Sequence, residues 1–116
     1  MKIIIAGSRS FYDYKRLKLE CDNILIKYNE PIEIVSGHAN GADKLGEKYA
    51  KENNYFLTLF YADWNQYGKS AGYIRNEEMA KYSNILISFW DGISKGTYHM
   101  INLAKKYNLK FFIFRF

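Results

Sequence analysis

The sequence has one cysteine, one proline and no apolar run long enough to cross a bilayer. A lone Cys21 excludes an internal disulfide, and its place on the apolar face of a helical pattern makes it a small buried hydrophobe. A single Pro31 excludes proline-rich linkers. The opening Met1–Ala6 run is too short for a secretion signal and meets a glycine at once, so a cytoplasmic location is expected. No run of five like charges occurs, and His38 and His99 lack the spacing of a metal site. No metal, no cofactor and no membrane partner are therefore expected.

At 116 residues the chain is sized for one domain, 1–116, and 48% hydrophobic residues suffice for a real core. Lys and Arg exceed Asp and Glu by five. That excess is spread along the chain, so it reads as solvated surface and nucleic acid is not an expected partner. Aromatic residues, at 18%, belong mostly to the core, with some left for base stacking or a subunit contact.

Strand and helix patterns alternate throughout. Ile3–Ala6, Ile32–Val35, Tyr55–Phe60, Ile85–Trp90 and Lys110–Arg115 read as strands. Between them, Leu17, Cys21, Ile24, Leu25 and Tyr28 share one helical face, as do Ala42, Leu45, Tyr49 and Ala50, with Asn40 placed to cap the second helix. A third helix is expected over Gly72–Tyr82 and a fourth around Thr97–Tyr107. Tyr61–Ala71 shows no period and reads as an irregular loop. The order βαβα predicts an α/β fold: a Rossmann-like, doubly wound, parallel five-stranded sheet of order 3-2-1-4-5 with helices on both faces.

Three turns follow strands and lead into helices: Gly7-Ser8-Arg9, Ser36-Gly37 with Gly41 and Asp43, and Asp91-Gly92 with Ser94, Gly96 and Thr97. Backbone N–H groups at a helix start attract anions, and glycine lets a phosphate approach closely. Arg9 and Arg75 offer guanidinium forks suited to phosphate. Asp91 could bond a ribose hydroxyl. In the 3-2-1-4-5 order, the first and last of these turns meet at the switch point where open α/β sheets bind ligands. Gly68-Lys69-Ser70 resembles the end of a phosphate-binding ATPase loop, but Asp63 stands where its first glycine should be and no strand directly precedes it.

Ile5-Ala6-Gly7-Ser8-Arg9, Val35-Ser36-Gly37 with Gly41-Ala42-Asp43, Gly72-Tyr73-Ile74-Arg75-Asn76 and Asp91-Gly92 with Lys95-Gly96-Thr97 together resemble the SLOG superfamily. That Rossmann-like group is named after DprA (Smf) and the LOG phosphoribohydrolases, and its small YspA-type members are bacterial and phage proteins of about this length. The resemblance spans nearly the whole chain. It implies a nucleotide-related ligand at the cleft and a homo-oligomer, dimer or higher. In the LOG hydrolases an Arg-Lys pair contacts substrate where this chain has Arg75-Asn76. They also carry a glutamate three residues after the threonine, where this chain has Met100. A thioether cannot do the carboxylate's work in glycoside cleavage.

The sequence-based expectation is a binding domain for a nucleotide or ADP-ribose-like small molecule, as sensor or sequestering protein. Its candidate ligand residues are Gly7, Ser8, Arg9, Ser36, Gly37, Asp43, Arg75, Asn76, Asp91, Gly92, Ser94, Gly96 and Thr97. LOG-like cleavage of a nucleoside 5′-monophosphate stands as the alternative, and DprA-like binding of single-stranded DNA comes third.

Overall fold

A computed structural model describes residues 1–116. Five strands, β1 (Lys2–Gly7), β2 (Glu33–Ser36), β3 (Phe56–Leu59), β4 (Ile85–Trp90) and β5 (Lys110–Arg115), form one sheet. The helices are α1 (Tyr14–Leu25), α2 (Ala42–Glu52), α3 (Trp64–Tyr67), α4 (Ala71–Tyr82) and α5 (Lys95–Lys106), with a 3₁₀ turn at Gly68–Ser70. The strand order is β3-β2-β1-β4-β5 and every pairing is parallel, as the alternating pattern predicts. No helix is long and apolar enough to cross a membrane.

Successive side chains of a strand point to opposite faces, and β1 splits its run accordingly. Ile3 and Ile5 pack with Leu17, Cys21 and Tyr49 under α1 and α2, whereas Ile4 and Ala6 pack with Met79, Met100 and Ala104 under α4 and α5. A continuous apolar β-branched strand is what a sheet covered on both sides requires. Cys21 is fully buried, as its helical position predicts, and burial pushes its thiol pKa up.

Two local expectations change. Tyr61–Ala71 is not irregular throughout: Asp63 accepts a bond from the Gln66 N–H at 3.1 Å and starts α3, which leads through the 3₁₀ turn into α4. None of Trp64–Tyr67 is buried, so the sequence carries no apolar period there. Nor does Asn40 cap α2. Gly41 holds the N-cap position at φ 79°, and no side chain caps it. That conformation favours glycine, and a Cβ there would lie 2.5 Å from the carbonyl oxygens of both Ser8 and Arg9. The β1–α1 and β2–α2 loops are thereby pressed together, with the Ala42 N–H donating to the Ser8 carbonyl at 3.3 Å.

Candidate functional site

The loops leaving β1 and β4 meet at neighbouring strand ends. The Ser8 N–H donates to the Phe89 carbonyl at 2.9 Å, and the Asp91 N–H donates to Ser8 Oγ at 3.2 Å. Gly7 permits this contact, because a Cβ there would sit 2.1 Å from the Phe89 oxygen. A cleft opens beside the junction, over the carboxyl ends of β1 and β4 and against the first turns of α2, α4 and α5.

The cleft has three parts, and Arg9 and Arg75 wall all of them. An inner chamber of about 90 Å³ is lined by Gly7, Asp43, Asn76, Ser94, Gly96 and Thr97 as well as by the two arginines. A hollow of about 180 Å³ adds Trp64, Lys69 and Tyr73, and another of about 270 Å³ adds Gly37, His38 and Tyr61. Trp64 is half exposed. No group of three His, Cys, Asp or Glu side chains gathers here to hold a metal.

Each arginine is placed differently. The Arg9 side chain makes no hydrogen bond within the protein, so its five donors are open to the cleft. Arg75 is anchored: Nη1 donates to the Gly37 carbonyl at 2.7 Å and Nε to Asn76 Oδ1 at 3.1 Å. Burial lowers the Arg75 pKa, opposed by the carboxylate of Asp43. Asp43 is itself buried, and burial raises its pKa to about 6 despite the Ala39 N–H that bonds it at 3.1 Å and the charge of Arg75.

Four residues of the expected set lie beside the cleft rather than on its walls. Ser8 and Ser36 are buried, and the Ser36 hydroxyl donates to Glu47 Oε2 at 2.9 Å. Asp91 Oδ1 accepts the N–H groups of Ile93 and Ser94, both at 2.8 Å, and those bonds lower its pKa. Gly92 is covered by the Arg115 guanidinium, 2.1 Å from where a Cβ would stand. Sequence spacing places these residues at the right strand ends without showing which way their polar atoms turn.

The structure adds Tyr61, Lys69, Tyr73 and His38 to the cleft. Lys69 belongs to the segment that fails as an ATPase loop, yet the 3₁₀ turn carries it to the rim. Nδ1 of His38 donates to Glu47 at 2.8 Å while Nε2 accepts from Lys44 Nζ at 3.0 Å, so its tautomer is set. Met100, at the position where the LOG hydrolases have their glutamate, lines the inner chamber. The chamber's one carboxylate is instead Asp43, supplied by α2.

The model of the YspA, cpYpsA-related SLOG family (YAcAr) matches residues 1–67. The gene 61 protein of Mycobacterium phage D29 is 31% identical over 111 residues, covering 90% of this chain and 89% of the phage protein. Among solved structures, DNA processing protein A from Helicobacter pylori, described for its single-stranded DNA binding mode, superposes with a TM-score of 0.74 at 20% identity, covering 97% of this chain and 64% of that one. DprA from Streptococcus pneumoniae gives 0.73 at 18% identity, with 97% and 49% covered. The chain thus spans only half to two-thirds of these two DprA chains. The expectation that nucleic acid is not a partner does not stand, since nearly the whole of this fold recurs in a protein that binds single-stranded DNA. Net charge averages over a surface, whereas Arg9, Lys69 and Arg75 come together only in space.

Proposed function

The chain belongs to the YspA, cpYpsA-related SLOG family, and we propose that its switch-point cleft binds single-stranded nucleic acid. One observation carries this reading: Arg9 and Arg75 wall three adjoining hollows, one of which also presents the half-exposed ring of Trp64 and the ammonium of Lys69. Single-stranded nucleic acid is held by that combination of cations along the backbone and aromatic rings under the bases.

In this reading the phosphate lies between Arg9 and Arg75, where the first N–H groups of α5 add the positive end of the helix dipole. Trp64 supplies a stacking face that any base can use, so the site reads backbone and π-surface rather than sequence. The DprA likeness supports the choice of strand over the other phosphate-bearing ligands that the turns alone would accept.

Fluorescence anisotropy of a labelled oligothymidylate tests the proposal. Saturable binding that weakens with salt and with Arg9→Ala or Arg75→Ala is expected. Absence of binding up to roughly millimolar protein, with the fold intact, overturns it.

A further inference from the structure

The cleft walled by Arg9 and Arg75 also holds a buried carboxylate. Asp43 is 5% exposed and lines the inner chamber with Asn76 and Thr97, alongside the two arginines. One N–H group, from Ala39 at 3.1 Å, uses part of its acceptor capacity, and a carboxylate has room for about four hydrogen bonds. With both arginines neutralised by the first phosphate, a second phosphate entering this chamber would set its charge against the fixed negative charge of Asp43 in a poorly screened wall. A hydroxyl does the reverse, donating its hydrogen to the carboxylate and accepting from the Asn76 amide. Nδ2 of that amide makes only long contacts, 3.3 Å, to the Gly96 carbonyl and to His99.

We propose that the inner chamber receives the free 3′-hydroxyl of a terminal nucleotide whose 5′-phosphate lies between Arg9 and Arg75. The inference rests on the reading of the cleft as a nucleotide phosphate site. It makes the site end-selective: a continuous strand would carry its next phosphate onto Asp43. The same chemistry is offered by the 3′ end of a strand and by an isolated nucleoside 5′-monophosphate. Asp43 here is a specificity-determining residue, which rejects a phosphate and accepts a hydroxyl.

Competition against a labelled strand separates the cases, with the full chain as the protein. The competitors are one oligothymidylate with a 3′-hydroxyl, the same oligomer with a 3′-phosphate, its circularised form, thymidine 5′-monophosphate and thymidine 3′,5′-bisphosphate. The 3′-hydroxyl strand is expected to compete about tenfold or more better than the 3′-phosphate and circular forms, the size of one charged hydrogen bond. Equal competition by those three strands overturns the end-selectivity and leaves strand binding standing. If no labelled strand binds but direct calorimetric titration shows the monophosphate binding tenfold better than the bisphosphate, the hydroxyl site stands and the strand reading falls. If nothing binds, both fall. Asp43→Asn, checked for folding by thermal melting, should let the 3′-phosphate strand compete as well as the 3′-hydroxyl one. Selectivity unchanged in a folded Asp43→Asn chain contradicts the assignment. Should that variant fail to fold, the ligand series on the unaltered chain decides by itself.

Discussion

Arg75 donates through Nη1 to the carbonyl oxygen of Gly37 at 2.7 Å, tying the first turns of α4 to the loop after β2. The contact depends on Gly37 having no side chain, since a Cβ there would come within 3.1 Å of the guanidinium carbon. Arg75 is thus fixed by the fold, while Arg9 across the cleft is free. An anchored cation and one without a hydrogen bond inside the protein thus line the same cleft.

Replacing each arginine by alanine should separate these roles. Arg9→Ala should weaken oligonucleotide binding by about 1.5–3 kcal/mol with no change in melting temperature. Arg75→Ala should weaken binding as much and also destabilise the fold by about 1 kcal/mol through the lost bond to Gly37. Binding isotherms and thermal melts of both variants check this. An Arg9→Ala chain that melts early but binds normally would reverse the assignment.

Trp64→Ala should remove about 1–3 kcal/mol of binding at little cost in stability, because the ring is half exposed. Trp64→Phe should restore most of it. Loss with both variants would point to the indole N–H rather than to stacking.

The salt dependence is also set. If Arg9 and Arg75 share one phosphate and Lys69 neutralises another, the logarithm of the binding constant should fall against log salt with a slope of about −1.4. A flat plot would exclude a phosphate-driven mode.

Asp43 gives the stability a signature in pH. Its folded pKa of about 6 lies above its ordinary 3.8 because burial disfavours the carboxylate. Between those values the folded chain keeps a proton that the unfolded chain has released. The Asp43 contribution therefore favours folding most below pH 3.8. It declines as pH rises toward 6, and above that it becomes a constant penalty on the order of 3 kcal/mol at most. Asp43→Asn should melt higher than the unaltered chain at pH 8, and the difference should shrink on acidification. A lower melting temperature at pH 8 would show that the ionised form is the stabilised one.

Glycine substitutions distinguish packing from access. Gly41→Ala should cost more than about 2 kcal/mol, since it combines a positive φ with a Cβ 2.5 Å from two carbonyl oxygens. Gly96→Ala, where a Cβ would meet nothing within 4 Å, should leave the melt unchanged within about 0.5 kcal/mol.

Much of this was legible in residue order. Ile3–Ala6 and Ile85–Trp90 are apolar enough to mark central parallel strands, and the glycines after them mark the turns that meet at the cleft. The strand order followed from handedness and winding rules rather than from any single residue. What stayed hidden depends on orientation. Ser8, Ser36 and Asp91 occupy the expected strand ends but spend their polar atoms on the protein's own groups. Trp64 and Lys69 sit in a segment with no buried residue and hence no period, and only the path of the chain carries them to Arg9 and Arg75. Convergence of three cations cannot be read from a charge total.

Amide chemical-shift mapping during titration with an oligothymidylate tests the central claim most directly. The account predicts shifts at Gly7, Arg9, Gly37, Gly96 and Thr97 and at the Trp64 indole N–H, with the far ends of the strands silent. Shifts gathered instead on the β5 edge or on the outer faces of α1 and α2, with the cleft unmoved, would contradict it.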